Sequence, residues 1–411
     1  MDAVGPSPVR DPKAARRAVQ FIAAVALMNS VAGMITVPVL PTLVKEFTGD
    51  TGHAVAYVGL FAAMFALVQF LVSPIIGALS DRYGRRAVIL PAVFCAAADF
   101  VLMALAPTLG WLMAARLISG LTAGSNPAIN AYVADVITPE ERAAHYGWIG
   151  AAGSAGFLFG PALGGILGEI SPRLPFWVSA GLCFVNGLYG LFVLPESLPR
   201  DRRAPFSWRR ANPLGSFQFM KERPQILGLL AIFVVMFFAQ QCQQHTVVLY
   251  TNYRYGWTPA QVGTYLTVVG VGSLLVQAFL VRRFVRRFGE RAAAITGFSI
   301  CSIAFVLYGA APTDGVFILG MPFFCMFGLV NPSLQAQVTR RVAPTEQGRL
   351  QGVNAGLMAL TGLIGPIVYT QVFALSIGPF ASFMPAGAAY YLAAVCLLTG
   401  AMLAARNMSR P

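Results

Sequence analysis

Twelve stretches of this chain are apolar and long enough, at 1.5 Å of rise per helical residue, to cross a hydrocarbon layer of about 30 Å. They lie near 18–41, 55–77, 87–107, 110–134, 146–169, 174–194, 224–249, 259–281, 291–311, 314–338, 350–373 and 380–405. A water-soluble fold is excluded. With 57% hydrophobic and 11% charged residues over 411 positions, the chain has more apolar surface than one soluble core can hide. Backbone polar groups in lipid must be satisfied within their own segment, so each stretch is predicted to be a helix. The expected class is an all-α integral membrane protein with twelve transmembrane helices.

The formal net charge is +13, which in a soluble domain would suggest nucleic acid. Its distribution argues otherwise. One set of loops collects Arg82, Arg85, Arg86 and Arg142, the basic 195–223 stretch, five arginines in 282–291, and Arg340, Arg341 and Arg349. The alternate loops carry only Lys45, Arg173 and Arg254. By the positive-inside rule both termini and the long central connector are expected in the cytoplasm. The expected partners are the lipid bilayer and a small molecule, with no nucleic acid, and the chain is expected to act as a monomer. Six scattered cysteines show no CxxC spacing, so neither a metal site nor a disulfide framework is indicated.

The connector divides the chain into an expected bundle at 1–194, a cytoplasmic linker at 195–223 and a second bundle at 224–411. The two bundles repeat. With an offset of 205, Asn126-Pro127 falls on Asn331-Pro332, Gly147 on Gly352, and Gly160-Pro161 on Gly365-Pro366. Gly84 and Arg86 fall on Gly289 and Arg291, whereas Asp81 falls on Arg286. Tandem six-helix halves are a transporter plan, with the substrate site at mid-membrane between them.

Charged and polar residues inside such segments mark candidate sites, because lipid penalises them. The turn holding Gly77, Asp81, Arg82, Gly84, Arg85 and Arg86 combines an acid, three bases and two glycines. It reads as a conformational latch on the cytoplasmic side, or as a topology determinant with solvated charges. Asp135, Glu141 and Arg142 support that gate or form a solvated loop. Asp99 is the one acid, and Arg116 the one base, well inside a segment. They lie at similar depth on consecutive antiparallel segments, as a proton-binding acid tuned by a base or as a permanent ion pair. Gln240, Gln241, Gln243, Gln244 and His245 crowd segment 7, where Gln240/Gln244 and Gln241/His245 share faces. They form a substrate-cavity wall or interhelical hydrogen bonds. Asn29, Gln69, Asn126, Asn130, Asn331 and Gln335 are further substrate-contact candidates.

These motifs resemble the major facilitator superfamily, in particular its twelve-helix drug/proton antiporters. Gly77-x-Leu79-Ser80-Asp81-Arg82-x-Gly84-Arg85-Arg86 is similar to the loop 2–3 motif, and Arg116-Leu-Ile-Ser-Gly120 to the segment 4 motif. Gly153, Gly156, Gly160-Pro161 and Gly164-Gly165 resemble the segment 5 antiporter motif. That resemblance implies a pivot contact between the halves and an exporter; ordinary close packing is the alternative. Pro38-Val-Leu-Pro41, Gly168-Glu169-Ile170-Ser171-Pro172 and Gly348-x-Leu350-Gln351-Gly352 are similar to bacterial tetracycline/proton antiporters. The chain departs from those at three positions. Asn29 and Cys301 stand where that group carries acids, and Ser273 where it carries a histidine.

The function this implies is proton-coupled efflux of small amphipathic organic compounds, such as tetracycline-like drugs, by alternating access. A uniporter or importer of a metabolite is the alternative. No cofactor is expected, since the proton-motive force would supply the energy. A membrane enzyme fits poorly: the chain has no HExxH, GxSxG or P-loop and only three histidines.

Overall fold

A computed structural model describes residues 12–136, 142–206, 224–342 and 346–408. The described residues of the first half form α1 (Pro12–Ile35), α2 (Leu40–Thr48), α3 (Thr51–Tyr83), α4 (Arg85–Leu105), α5 (Leu109–Ala123), α6 (Asn126–Val136), α7 (Arg142–Ile170) and α8 (Leu174–Val193). In the second half they form α9 (Leu227–Tyr255), α10 (Pro259–Leu275), α11 (Val281–Ala310), α12 (Asp314–Leu319), α13 (Met321–Cys325), α14 (Val330–Thr339), α15 (Gln347–Ile377) and α16 (Ala388–Asn407). No strand occurs among the described residues.

Ten helical stretches among them are long and apolar enough to span a membrane. The twelve apolar segments fit this number. The stretch Pro259–Ala310 covers two of them, and the 110–134 segment is divided into α5 and α6 at Gly124-Ser125. Pro74, Pro91, Pro161 and Pro366 sit inside helices, a position that buried helices tolerate better than isolated ones. A π-turn at Val276–Leu280 joins α10 to α11.

The chain forms two compact units, Met1–Leu40 with Leu67–Pro213, and Pro41–Ala66 with Leu214–Pro411. In the first unit α1 packs on α7 and α8, and α4 on α5 and α8. In the second, α9 packs on α15 and α16, and α11 on α16. These are the same pairings under the repeat. The first unit's core includes Val25, Ile89, Val93, Tyr132 and Val133. The second unit's core is aromatic. Tyr308 and Phe317 lie 4.4 Å apart by ring centroid, and Tyr250 meets Tyr390 edge-on at 4.9 Å. The Tyr250 hydroxyl donates to the Tyr308 carbonyl at 3.0 Å, satisfying a polar group the core would otherwise strand.

The repeat extends to backbone geometry. Gly84 has φ 106° and ψ 154°, and Gly289 has φ 80° and ψ 167°. Side chains other than glycine's rarely enter this region. Gly84 separates α3 from α4 and Gly289 kinks α11, and the two charged turns lie at these points.

Candidate functional site

The first charged turn is built around Arg85, whose residue is 8% exposed. Its Nη1 donates to Asp81 Oδ1 at 2.5 Å and to Ser80 Oγ at 2.7 Å, and its Nε donates to Asp135 Oδ2 at 3.1 Å. A buried guanidinium needs such partners, since one left uncompensated is strongly destabilising. Ser197 Oγ also donates to Asp135 Oδ2, at 3.2 Å. The Arg85 backbone N–H, freed by the helix start, donates to Glu196 Oε1 at 2.8 Å. Arg86 Nη2 reaches the Leu191 carbonyl in the last turn of α8 at 2.7 Å. Arg82 instead lies over the Tyr83 ring at 5.1 Å. Gly84 is fixed by space as well as by φ: a Cβ there would stand 2.3 Å from Glu196 Oε2. Gly77 has room, with Pro127 Cβ at 3.8 Å from such an atom. The named partners of Arg85 all belong to the first unit.

The second copy of the turn is wired with its charges exchanged. Arg85 corresponds to Glu290 and Asp135 to Arg340. Arg340 Nη2 donates to Glu290 Oε1 at 2.5 Å. Arg291, the counterpart of Arg86, donates to the Ala405 carbonyl in the last turn of α16. Loss of an acid at Arg286 is therefore accompanied by an acid at Glu290. Glu141 lies outside the described residues, and Arg142 is described only as helical backbone.

Asp99 is buried on α4, 2% exposed. Ser119 Oγ donates to its Oδ2 at 2.5 Å, while Oδ1 has no hydrogen-bond partner among the described residues. Arg116 is not in ion-pair contact with it. Arg116 Nη2 instead meets Met103 Sδ at 2.8 Å, and its Nε is buried without a partner among the described residues. The geometry explains this correction to the expected pairing. Asp99 and Met103 are one turn apart on α4, and Ser119 and Arg116 one turn apart on α5. The rungs between these helices are Asp99–Ser119 and Met103–Arg116, so the acid and the base are offset by about one 5.4 Å turn. Asn186 on α8 is also buried, with Nδ2 3.5 Å from Asn29 Oδ1 and its own Oδ1 unpartnered.

On α7 the glycines seat α1. A Cβ at Gly156 would lie 2.6 Å from Ser30 Cβ, at Gly160 2.4 Å from Met34 Cβ, and at Gly164 1.9 Å from the Ile35 carbonyl oxygen. Gly153 is looser, at 3.5 Å from Ser30 Oγ. Pro161 and Gly165 are buried on the same helix. This is close packing within one unit. Gly365, the counterpart of Gly160, receives Gln241 of α9, whose Cγ would stand 2.6 Å from an added Cβ.

The segment 7 polar group divides accordingly. Gln241 is buried against Gly365, and its Oε1 is 3.1 Å from His245 Nε2. Gln240 is half-buried and Gln244 exposed. Gln243, in the same polar run, is buried, and its Nε2 donates to the Tyr265 hydroxyl at 3.0 Å. That hydroxyl donates on to Tyr308 at 2.9 Å. Asn126, Asn130 and Asn331 are exposed, and Gln69 and Gln335 half-buried, with Gln335 Oε1 unpartnered.

Sequence reading missed Glu196 and Ser197, which close the Arg85 cluster from the chain just past α8. Their signal was slight: a Pro-Glu-Ser run where an apolar segment ends. Asn186 was legible in principle, as one amide in an otherwise apolar segment.

Residues 22–366 match the family model described as Major Facilitator Superfamily. Among curated proteins, the chain is 35% identical over 364 residues to the class C tetracycline resistance protein of Escherichia coli, covering 88% of this chain and 91% of that protein. It is 32% identical over 368 residues to the class G protein of Vibrio anguillarum, covering 88% and 92%. Among solved structures, the human organic anion transporter MFSD10 (TETRAN) superposes with a TM-score of 0.68 at 24% identity, covering 96% of this chain and all of that one. That likeness concerns the fold.

Proposed function

This chain belongs to the major facilitator superfamily, so it is a multi-pass membrane transporter and not an enzyme, and from that premise we propose that it exports small amphipathic organic compounds, tetracycline-like drugs among them, in exchange for protons. The observation that carries proton coupling is the Asp99 carboxyl. It is buried, held at one oxygen by Ser119 and, among the described residues, without a partner at the other. Protonation turns a carboxylate from a pure acceptor into a group that also donates, so a proton arriving at Oδ1 changes the bonds this site makes. One elementary charge crossing 100 mV supplies about 2.3 kcal/mol before any pH gradient.

The rocking bodies in this reading are the six-segment halves 1–194 and 224–411, joined by 195–223, with termini and linker in the cytoplasm of a cell-membrane monomer. The Arg85 cluster is the first half's part of the cytoplasmic latch, and Glu290–Arg340 the second half's. Gln240 and Gln244, with Asn126, Asn130 and Asn331, are the substrate contacts the exposure pattern favours.

The test is substrate-induced proton movement in proteoliposomes over a panel of tetracyclines and other amphipathic compounds. Wild-type protein is expected to acidify or alkalinise the lumen with substrate, and Asp99→Asn to lose that signal. Transport of a compound with no accompanying proton movement would mark a uniporter and sink the antiport reading. A full proton signal in Asp99→Asn would move the proton site elsewhere.

A further inference from the structure

A cavity of about 880 Å³ opens in the first unit beside the Arg85 cluster, where α4 and α8 meet the chain just beyond α8. Its rim is basic. Arg86, Arg200 and Arg203 line it together with one acid, Glu196. The acid is already engaged: Glu196 Oε1 accepts from the backbone N–H groups of Arg85 and Leu198, at 2.8 and 3.1 Å, and Oε2 lies 3.9 Å from Arg203 Nη2. Arg86 spends one of its five donors on the Leu191 carbonyl. Arg200 is exposed, with no ion-pair partner among the described residues. Arg203 Nε donates to the Leu198 carbonyl at 3.4 Å, so the uncommitted guanidinium donors of the rim are chiefly those of Arg200 and the remaining N–H groups of Arg86.

The floor is apolar and directional. Arg86, Leu90 and Phe94 are spaced by four residues and so share one face of α4. Moving from the charged turn into the helix, that face runs from guanidinium to aliphatic to aromatic over about 12 Å. Leu191 of α8 forms the opposite wall and is itself exposed. A charged head at a helix end with an apolar track running along the helix body matches one kind of occupant: a phosphate carrying acyl chains.

We propose that this groove binds a phospholipid with an anionic headgroup. Its phosphodiester sits among Arg86, Arg200 and Arg203, and an acyl chain lies along Leu90, Phe94 and Leu191. Basic pockets between helices at the cytoplasmic boundary are where such headgroups are held. Guanidinium groups can offer a phosphodiester paired N–H donors, which a general attraction to a charged surface does not require. The site does not depend on proton coupling or on the identity of the exported compound.

The test uses the full chain, delipidated in detergent, with native mass spectrometry in equal concentrations of dioleoyl phosphatidylglycerol and dioleoyl phosphatidylcholine. Phosphatidylglycerol is expected to be retained roughly tenfold more, and Arg200→Gln/Arg203→Gln to lose most of that preference. Arg200→Glu, at an exposed position, repeats the test without touching the Glu196 contacts. Arg282→Gln/Arg283→Gln, at exposed arginines of α11, should leave the preference intact. Equal retention of the two lipids overturns the proposal, as does an unchanged preference in Arg200→Glu. Displacement of the lipid by millimolar inorganic phosphate alone also overturns it, by marking a small-anion site.

Discussion

Arg340 donates to Glu290 at 2.5 Å, and these two residues occupy the repeat positions of Asp135 and Arg85, which pair with the opposite sense of charge at 3.1 Å. Base and acid have changed places while the helices carrying them have not. Each copy thus has a charge pair between the start of the helix after the glycine break and the helix carrying the Asn-Pro motif. The first copy adds Asp81, Ser80 and Ser197 around its buried arginine.

Exchange of charge within the first copy should therefore be tolerated better than loss of it. Arg85→Glu places an acid beside Asp81 and Asp135 and is expected to cost about 3–5 kcal/mol, the usual penalty for breaking a buried pair. Arg85→Glu/Asp135→Arg should recover part of this, and adding Asp81→Arg should recover more, since the triple variant carries the second copy's charges. Thermal denaturation in detergent and efflux from everted vesicles measure both effects. A triple variant no better than the single one would show that the pairs are not equivalent.

Gly84→Ala combines a positive φ with a Cβ 2.3 Å from Glu196 Oε2. Strain at such a position costs on the order of 1–3 kcal/mol. A lower Tm is expected, together with loss of the Arg85 N–H to Glu196 contact, read as faster amide hydrogen exchange at Arg85.

The α7 glycines give an ordered series. Gly164→Ala drives a Cβ into the Ile35 carbonyl and Gly156→Ala drives one into Ser30, whereas Gly153→Ala meets only ordinary contact. Overpacking of this kind costs about 1–3 kcal/mol. Folded yield after solubilisation should fall for the first two variants and hold for Gly153→Ala. Equal yields across the series would contradict the tight seating of α1.

Ser119→Ala removes the one hydrogen bond donated to Asp99. Bonds to charged groups contribute about 1.5–3 kcal/mol, so proton-coupled efflux is expected to fall about tenfold or more, with Ser119→Thr restoring it. Met103→Leu, on the neighbouring rung, should leave coupling near wild type. Stopped-flow proton uptake by the purified protein separates these variants.

Gln241 and Gln244 should part company. Gln241→Ala opens a void against Gly365 and unpairs His245, so it should lower Tm. Gln244→Ala, at an exposed position, should alter the KM for the exported compound at unchanged Tm.

The helical architecture was legible because lipid leaves so few choices. Segment length, the glycine breaks and the 205-residue repeat all follow from one-dimensional pattern, and Gly84 and Gly289 share their backbone geometry as that repeat requires. What escaped notice depends on azimuth and on distant chain. Asp99 and Arg116 have similar depth, but depth does not report a one-turn offset between rungs. The segment 7 glutamines look alike in sequence, yet Gln241 fills a glycine slot while Gln244 does not. Glu196 and Ser197 come back to the Arg85 cluster from more than a hundred residues away, and no local rule predicts that return.

Arg86 and Arg291 each grip a carbonyl in the final turn of another long helix, at Leu191 and Ala405. In mechanical terms, each is a tie rod between the head of one strut and the foot of another: α4 to α8 in one unit, α11 to α16 in the other. Struts tied at their ends resist tilting separately. A load on either charged turn is shared between two helices, so the third and sixth spans of each half are linked at that end.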